Sequence, residues 1–325
     1  MSDGDTGPRQ ARRWPLVVIV VLGVGLALAP AAFQMFTRAP KGGTMIEEFR
    51  PFMNEQTISD FRGYLDEIGA ARDETVDELQ PALGTQQDFA ADYPQAAAFV
   101  EQWDGIDTDM SDMLDTIDAN RDEFDGISSL PAFALFPWFF VIPGVLIAVF
   151  AGLSLWRAER GRRPFTAVLV VFGVGLLLAP AVFQMFTRAP GGGRMIDDFE
   201  SLMTRDRVTE IQGYFITIGA AEGQLRTAVV PAAVAEEGGT AADYPASTQL
   251  SDDWPQVLSE MSDMVGAMAD NLDNYAAVAA LPPFPLFPWF FVIPGVAVIV
   301  LALVARRPRS GAEPSPASPS PLEDP

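Results

Sequence analysis

Four stretches of the chain carry no charged side chain: residues 14–37, 126–156, 164–187 and 274–305. Each exceeds the ~20 apolar residues that take a helix across the hydrocarbon of a bilayer. Between Leu16 and Phe36, twelve positions are Leu, Ile, Val or Phe. At ~0.3–0.6 kcal/mol each they favour insertion by roughly 4–7 kcal/mol. The pattern predicts four membrane helices, over 14–37, 130–156, 164–187 and 281–305. Pro30 and Pro180 are expected to kink the first and third near one end, because proline removes a backbone donor.

Between these stretches the hydrophobic period becomes that of an amphipathic helix. Phe99, Trp103, Ile106, Met110, Met113, Ile117, Asn120, Phe124 and Ile127 follow one another at alternating steps of 4 and 3, a heptad seam with one polar break. The same seam recurs 151 residues on, as Leu250, Trp254, Val257, Met261, Met264, Met268, Asn271, Tyr275 and Val278. A looser stripe runs upstream from Met45 to Leu79, with a counterpart from Met195 to Val229. Thr57-x-x-Asp60 reads as a capping box opening a second helix there. Pro81, Gly84 and Tyr93-Pro94 mark a turn, matched by Pro231, Gly238-Gly239 and Tyr244-Pro245. Segments 38–129 and 188–280 therefore read as helical hairpins, together a four-helix bundle. The Gly42-Gly43 and Gly191–Gly193 runs read as hinges between span and hairpin, not as phosphate loops, since no Gly-Lys-Ser/Thr follows.

The repetition extends to the apolar runs. Residues 15–40 match 165–190 at 19 of 26 positions, and 130–145 match 281–296 at 14 of 16. The first run has the basic flank and apolar core of a signal peptide, but nearly the same text lies mid-chain, so both copies read as membrane helices. Two spans per unit send both units in from the same side, making the repeats parallel. The fold class expected is thus an all-α membrane protein, with four transmembrane helices in two tandem parallel repeats, each carrying an extracytoplasmic helical hairpin.

Charge orients this arrangement. Segment 41–129 holds 5 basic and 22 acidic residues, and segment 191–280 holds 4 and 15. Their nets of −17 and −11 account for more than the whole formal charge of −22. The short pieces beside the runs are basic: Arg9, Arg12 and Arg13, then Arg157, Arg160, Arg162 and Arg163, then Arg306, Arg307 and Arg309. The positive-inside rule places the N-terminal segment 1–13, the linker 157–163 and the tail 306–325 in the cytoplasm, and both acidic hairpins outside. Arg38 and Arg188, just past the outer ends, are expected to snorkel to headgroups. The tail, rich in Pro and Ser, is expected to be disordered. One Lys against 20 Arg hints at a GC-rich bacterial genome, and the localisation expected is the bacterial plasma membrane.

The chain contains no Cys and no His. That excludes disulfides, thiolate nucleophiles and every site that needs imidazole. The acidic surface repels phosphate, which disfavours nucleic acid as a partner. Asp118-x-Asn120-x-Asp122 approaches a calcium loop, but Glu123 stands where its Gly belongs and Ser129 where its closing Glu belongs. Loosely bound divalent cations that reduce repulsion between the hairpins are the most this text supports. No catalytic, cofactor-binding or metal-ligating residue is assigned. Asn120 and Asn271 at seam positions fix register, or read a ligand inside the bundle. The seam methionines pack as core or form an adaptable binding face. Gln34 and Gln184, the strongly polar side chains deep in the first and third runs, pair across the repeat axis or line a path. No Asp, Glu, Lys, Arg or His lies within a run, against a pump or coupled transporter. Trp138, Phe139, Trp289 and Phe290 read as anchors at the headgroup level. Gly25-x-x-x-Ala29, Gly175-x-x-x-Ala179 and Gly144-x-x-x-Ala148-x-x-x-Gly152 read as close helix contacts.

The order of span, helical hairpin and span resembles, in topology, the sensory module of bacterial chemoreceptors. That resemblance implies a ligand-sensing hairpin, and the short cytoplasmic pieces imply that any signal passes to another protein. The function expected is a non-enzymatic envelope protein whose outer bundle binds a ligand, a partner or the cell wall. Its expected partners are membrane lipid and another envelope or membrane protein. The alternative is a subunit of a channel or transporter.

Overall fold

A computed structural model describes residues 13–160 and 164–306. Residues 1–12, residues 161–163 of the basic linker with Arg162 and Arg163, and the tail from residue 307 lie outside the described residues. Among the described residues every regular element is helical. The helices are α1 (Trp14–Ala32), α2 (Met35–Phe49), α3 (Glu55–Glu74), α4 (Gln80–Leu83), α5 (Gln86–Asp92), α6 (Pro94–Ala119), α7 (Arg121–Ser128), α8 (Phe136–Glu159), α9 (Thr166–Val182), α10 (Met185–Phe199), α11 (Arg205–Gln224), α12 (Val230–Glu237), α13 (Pro245–Ala279) and α14 (Phe287–Arg306). The described residues divide into two compact units: one holds residues 13–32, 137–160, 164–183 and 288–306, the other 33–136 and 184–287.

The first unit contains the apolar helices. α1, α8 and α14 are long and apolar enough to cross a membrane, and a fourth crossing follows if the broken pair α9 and α10 is one span. This is consistent with a multi-pass membrane protein. Large apolar side chains stand exposed along all four, among them Val21, Ile142, Val171 and Ile293, as lipid-facing residues do. The helices meet where side chains vanish. A Cβ on Gly23 would stand 2.6 Å from the Ala148 amide nitrogen, and one on Gly144 would stand 2.6 Å from that of Ala27. Gly173 and Gly295 bring α9 and α14 together in the same way. Gly25, Gly152 and Gly175 face open space. In α1 and α9 the close contact is therefore made by the glycine two positions earlier, Gly23 and Gly173, because a two-residue step turns a helix to another face. At the other end of α8 the Phe165 N–H donates to Ser154 Oγ at 2.9 Å, and the Arg157 guanidinium lies 4.5 Å above the Phe165 ring.

The second unit is a helical bundle. α3, α6, α11 and α13 pack in a ring, each touching two of the others. All nine residues of the Phe99–Ile127 seam are buried, and so are eight of its counterpart, with Trp254 partly covered. The first-arm helices cross between the halves of the chain: α2 packs on α13, and α10 on α7. The ends of the long helices are shared likewise. The Glu74 carboxylate accepts from the Ala246 and Ser247 N–H groups at the start of α13. Gln224 Oε1 accepts from the Gln95 and Ala96 N–H groups at the start of α6. Each long helix thus has orphan N-terminal donors satisfied by the other half.

Several local expectations are corrected. The first run does not continue as one helix to residue 37, nor the third to 187. Both break at Phe33–Gln34 and Phe183–Gln184, where Gln34 and Gln184 adopt left-handed backbone with φ of 54° and 52°. The glycine runs are not hinges; they lie inside α2 and α10. The second and fourth runs begin their long helices only at Phe136 and Phe287, after single 3₁₀ turns. α3 is capped by Asn54, whose Oδ1 accepts from the Thr57 N–H at 3.0 Å, so Thr57 is not the cap. The turn between the arms holds α4 and α5 rather than loop, with a capping box between Thr85 and Asp88. Before Pro81 and Pro231 the helix widens into π-helical turns, Thr75–Leu79 and Leu225–Val229. A proline ring clashes with the carbonyl four residues back, and the wider i→i+5 turn accommodates it.

Candidate functional site

The seam residues Phe124, Ile127, Tyr275 and Val278 border a space within an otherwise packed core. Where α2, α7, α10 and α13 converge, the bundle holds a void of about 70 Å³. Its walls come in pairs separated by 150 or 151 residues: Gly42 and Gly192, Met45 and Met195, Ile46 and Ile196, Phe49 and Phe199, Met53 and Met203, Phe124 and Tyr275, Ile127 and Val278, Phe133 and Phe284. Two smaller voids of the same unit share these walls. One, about 30 Å³, adds Met35, Met185, Phe136, Phe287 and Arg188. The other, about 20 Å³, adds Met113, Ile117, Met264 and Met268.

Local sequence explains the space. Gly42 and Gly192 sit helical against the Phe133 and Phe284 rings, and a Cβ at Gly42 would stand 3.0 Å from Phe133 Cδ1. The Phe133 and Phe136 rings lie 5.3 Å apart, as Phe284 and Phe287 do at 5.5 Å. The polar group nearest the lining is the Tyr275 hydroxyl. It donates to the Ile196 carbonyl, and burial, with Glu200 and Asp197 nearby, pushes it up to about 12. It stays protonated at neutral pH. The cavity offers apolar area and no proton-transfer group.

The two seam asparagines flank this region and do similar work. Asn120 Nδ2 donates to the Thr116 carbonyl at 3.0 Å and to Asp198 Oδ2 at 3.1 Å. Asn271 Nδ2 donates to the Ala267 carbonyl and to Glu48 Oε2, and its Oδ1 accepts from Asn274. Asp198 and Glu48 lie on α10 and α2, so each asparagine ties the seam of one half to the first arm of the other. A second reciprocal pair lies further along the bundle. The Tyr64 hydroxyl donates to Glu260 Oε2 at 2.8 Å, and the Tyr214 hydroxyl to Asp109 Oδ2 at 2.7 Å. Arg207 also donates to Asp109. Burial pushes Asp109 up, but the Arg207 and Tyr214 hydrogen bonds outweigh it and hold the carboxyl below its usual range. Burial beside Asp109 pushes Tyr214 up to about 12. None of these four partners stood out in the sequence; the signal available was that each recurs at the repeat offset with its chemistry kept.

The remaining expected positions fall elsewhere. Gln34 and Gln184 are exposed at the helix breaks and are not hydrogen-bonded to each other. Their backbone carbonyls accept from Thr37 Oγ1 and Thr187 Oγ1, each at 2.9 Å. Trp138 and Trp289 stand about half exposed on the first unit. Phe139 packs on Phe183 at 5.3 Å, and Phe290 meets Phe140 edge-on at 6.4 Å. Arg38 does not snorkel: its Nη1 donates to the Ala280 carbonyl at 2.7 Å, capping the end of α13. The calcium-loop text is helical, with Asp118 paired to Arg62 and Arg121, and no group of three or more metal-capable side chains occurs among the described residues. Compared with protein-family models, with curated proteins and with solved structures, the chain matches none.

Proposed function

We propose that the protein is a non-enzymatic, multi-pass component of a bacterial plasma membrane, built from two parallel span–hairpin–span repeats. Its two acidic hairpins interlock outside the membrane as one ligand-binding bundle. The bundle serves a scaffold or sensor-like accessory role and passes its state to another membrane protein. The observation that supports this reading is the axial void, whose walls are supplied in equal parts by both halves. A ligand there touches both halves at once, which is what a module that reports occupancy needs.

The binding part is tested by photolabelling the full chain, in detergent micelles, with a small aliphatic diazirine. Adducts on Met45 and Met195 are expected; labelling confined to α1, α8, α9 and α14 would remove the reading. The topology is tested separately. The chain has no cysteine, so Ser2→Cys, Ala90→Cys, Arg160→Cys, Thr240→Cys and Ser320→Cys each report one site. In intact cells only the cysteines at 90 and 240 are expected to react with an impermeant maleimide. Solute flux through liposomes that is lost in Gln34→Ala and Gln184→Ala would favour a channel instead.

A further inference from the structure

The two halves of the bundle share their seams but not their outer faces. In the first half the groove between α3 and α6 is laced with charge. Arg62 pairs with Asp115 and Asp118 at 2.8 and 3.2 Å, and Arg72 with Asp104 at 3.3 Å. Burial, then the nearness of Asp66 across the groove, raises the Asp107 carboxyl. At the repeat offset, the groove between α11 and α13 has lost this ladder. Gln212 stands for Arg62, Gly266 and Ala269 for Asp115 and Asp118, Pro255 for Asp104, and Ile216 and Leu258 for Asp66 and Asp107. Ile216 is 73% exposed and Leu258 37%; among the described residues of α3, α6, α11 and α13 they are the exposed large apolar side chains. The acids on this stretch of α11 lie elsewhere: Glu222 is buried, and Glu210 pairs with Arg207, which reaches Asp109 on α6.

Charge selects what this face fits. A basic partner binds best where the acids remain, so clearing one face does nothing for it. Clearing serves a partner that is itself acidic, because like charges set against each other across an interface cost several kcal/mol. A second copy of this chain, with a formal charge of −22, is such a partner. Two copies inserted in one membrane share an orientation, so the face meets its own equivalent about a two-fold axis. The face also complements itself. α11 and α13 run antiparallel: Gly219 lies against Trp254, and Met203, just before α11, shares a void with Met264 and Met268. That register sets Ile216 level with Leu258, Gln212 level with Asp263, and Arg205 level with Asp270. Asp263 and Asp270 lie on the stripe of α13 opposite the buried Met261, Met264 and Met268. Arg205 and Asp270 are exposed, and neither side chain has an ion pair among the described residues.

We propose that the α11–α13 face is a self-association surface through which two copies of the chain form a reversible, two-fold symmetric dimer. With α11 of each copy over α13 of the other, Ile216 covers Leu258, the Gln212 amide meets Asp263, and Arg205 meets Asp270. From Thr209 to Gly223 the helix rises about 21 Å, and two helices side by side are about 20 Å wide. That footprint, on the order of 400 Å² per copy, is about half of the ~800 Å² per partner in a standard interface. The contact is therefore weak, and confinement of both copies to one membrane supports it by raising their effective concentration. The inference stands apart from the ligand reading, since none of these six side chains lines the voids.

The test uses cross-linking of the full chain, which has no cysteine of its own. Gly213 and Gly63 both have open space at the Cβ position, so each accepts a cysteine. Gly213→Cys and Ser259→Cys chains are reconstituted together in phosphatidylcholine vesicles and treated with a short bismaleimide. A mixed dimer is expected at least tenfold above that from Gly63→Cys with Thr108→Cys, the equivalent positions of the first half. Adding Ile216→Asp/Leu258→Asp to both chains should lower it to that background. The first half carries Asp at both places, so an unchanged unfolding temperature separates lost contact from misfolding. Arg205→Asp should lower the mixed dimer about tenfold, and Arg205→Asp/Asp270→Arg should restore it, a rescue that a merely structural role would not give. Equal linking by the two halves, or linking that survives Ile216→Asp/Leu258→Asp, would overturn the proposal. So would cross-linking in cell membranes that joins Gly213→Cys to a different protein and never to a second copy.

Discussion

Asn271 is fully buried, and one of its three side-chain partners belongs to the other half of the chain. A hydrogen bond to a charged acceptor contributes roughly 1.5–3 kcal/mol, so the Asn271–Glu48 contact holds α2 onto α13 as well as setting register. The measurement is a double-mutant cycle by chemical unfolding of the full chain in detergent. Asn271→Ala and Glu48→Ala should couple by about 0.5–3 kcal/mol, while residues without a shared contact add to within ~0.5 kcal/mol. Additive losses would mean that the halves do not interlock through this pair. The asparagine was legible in the sequence because a polar residue interrupts an otherwise apolar 4–3 spacing. Its partner was not. Glu48 is one of 22 acids in its segment, and reading each hairpin as packing on itself hides a contact that spans 223 residues.

At the scale of the element, the breaks at Gln34 and Gln184 carry the clearest strain. A left-handed conformation costs a residue with a Cβ about 1–2 kcal/mol, and glycine avoids that cost while losing about 0.5–1 kcal/mol through its freer unfolded chain. Gln34→Gly and Gln184→Gly should therefore be neutral to slightly stabilising. Gln34→Val should destabilise, since a β-branched residue tolerates positive φ worst. Unfolding midpoints of the three variants test this; a valine variant as stable as the glycine variant would remove the left-handed break. Sequence reading placed this joint about eight residues too late, at Gly42-Gly43. The error is physical. Glycine at 42 serves the approach of the Phe133 ring, not backbone freedom, and glutamine carries no signal for positive φ. The seam helices were legible because their period is set by burial. The capping of α3 was displaced because Asn54 and Thr57 are both competent caps, and only the turn at Pro51 decides between them: Asn54 Nδ2 and Thr57 Oγ1 both donate to the Pro51 carbonyl.

For the molecule as a whole, the excess of acid makes stability depend on pH in three parts. Burial raises the carboxyls of Glu67, with Asp253 nearby, and of Asp107, with Asp66 and Asp104 nearby. A carboxyl raised in the folded state contributes stability that is complete below the unfolded value of about 4 and is lost as pH rises through the folded value. Asp118 beside Arg121 and Arg62, Glu123 beside Arg194, and Asp109 beside Arg207 and Tyr214 are lowered instead. Their contribution is present above about 4 and is lost as pH falls through their folded values. Tyr214 and Tyr275, raised to about 12, lose their contribution as pH rises from the unfolded value of about 10 toward that figure. Unfolding temperatures of the full chain in detergent should thus peak on the acid side of neutrality and fall at both extremes. Added salt should raise the neutral limb by screening repulsion among acids farther apart than about 8 Å. Glu67→Gln should raise stability at pH 7 more than at pH 5, because it removes a charge that the fold buries beside Asp253. Stability that climbed steadily from pH 5 to 8, with Glu67→Gln without effect, would show that the acids of the bundle do not repel one another as their placement requires.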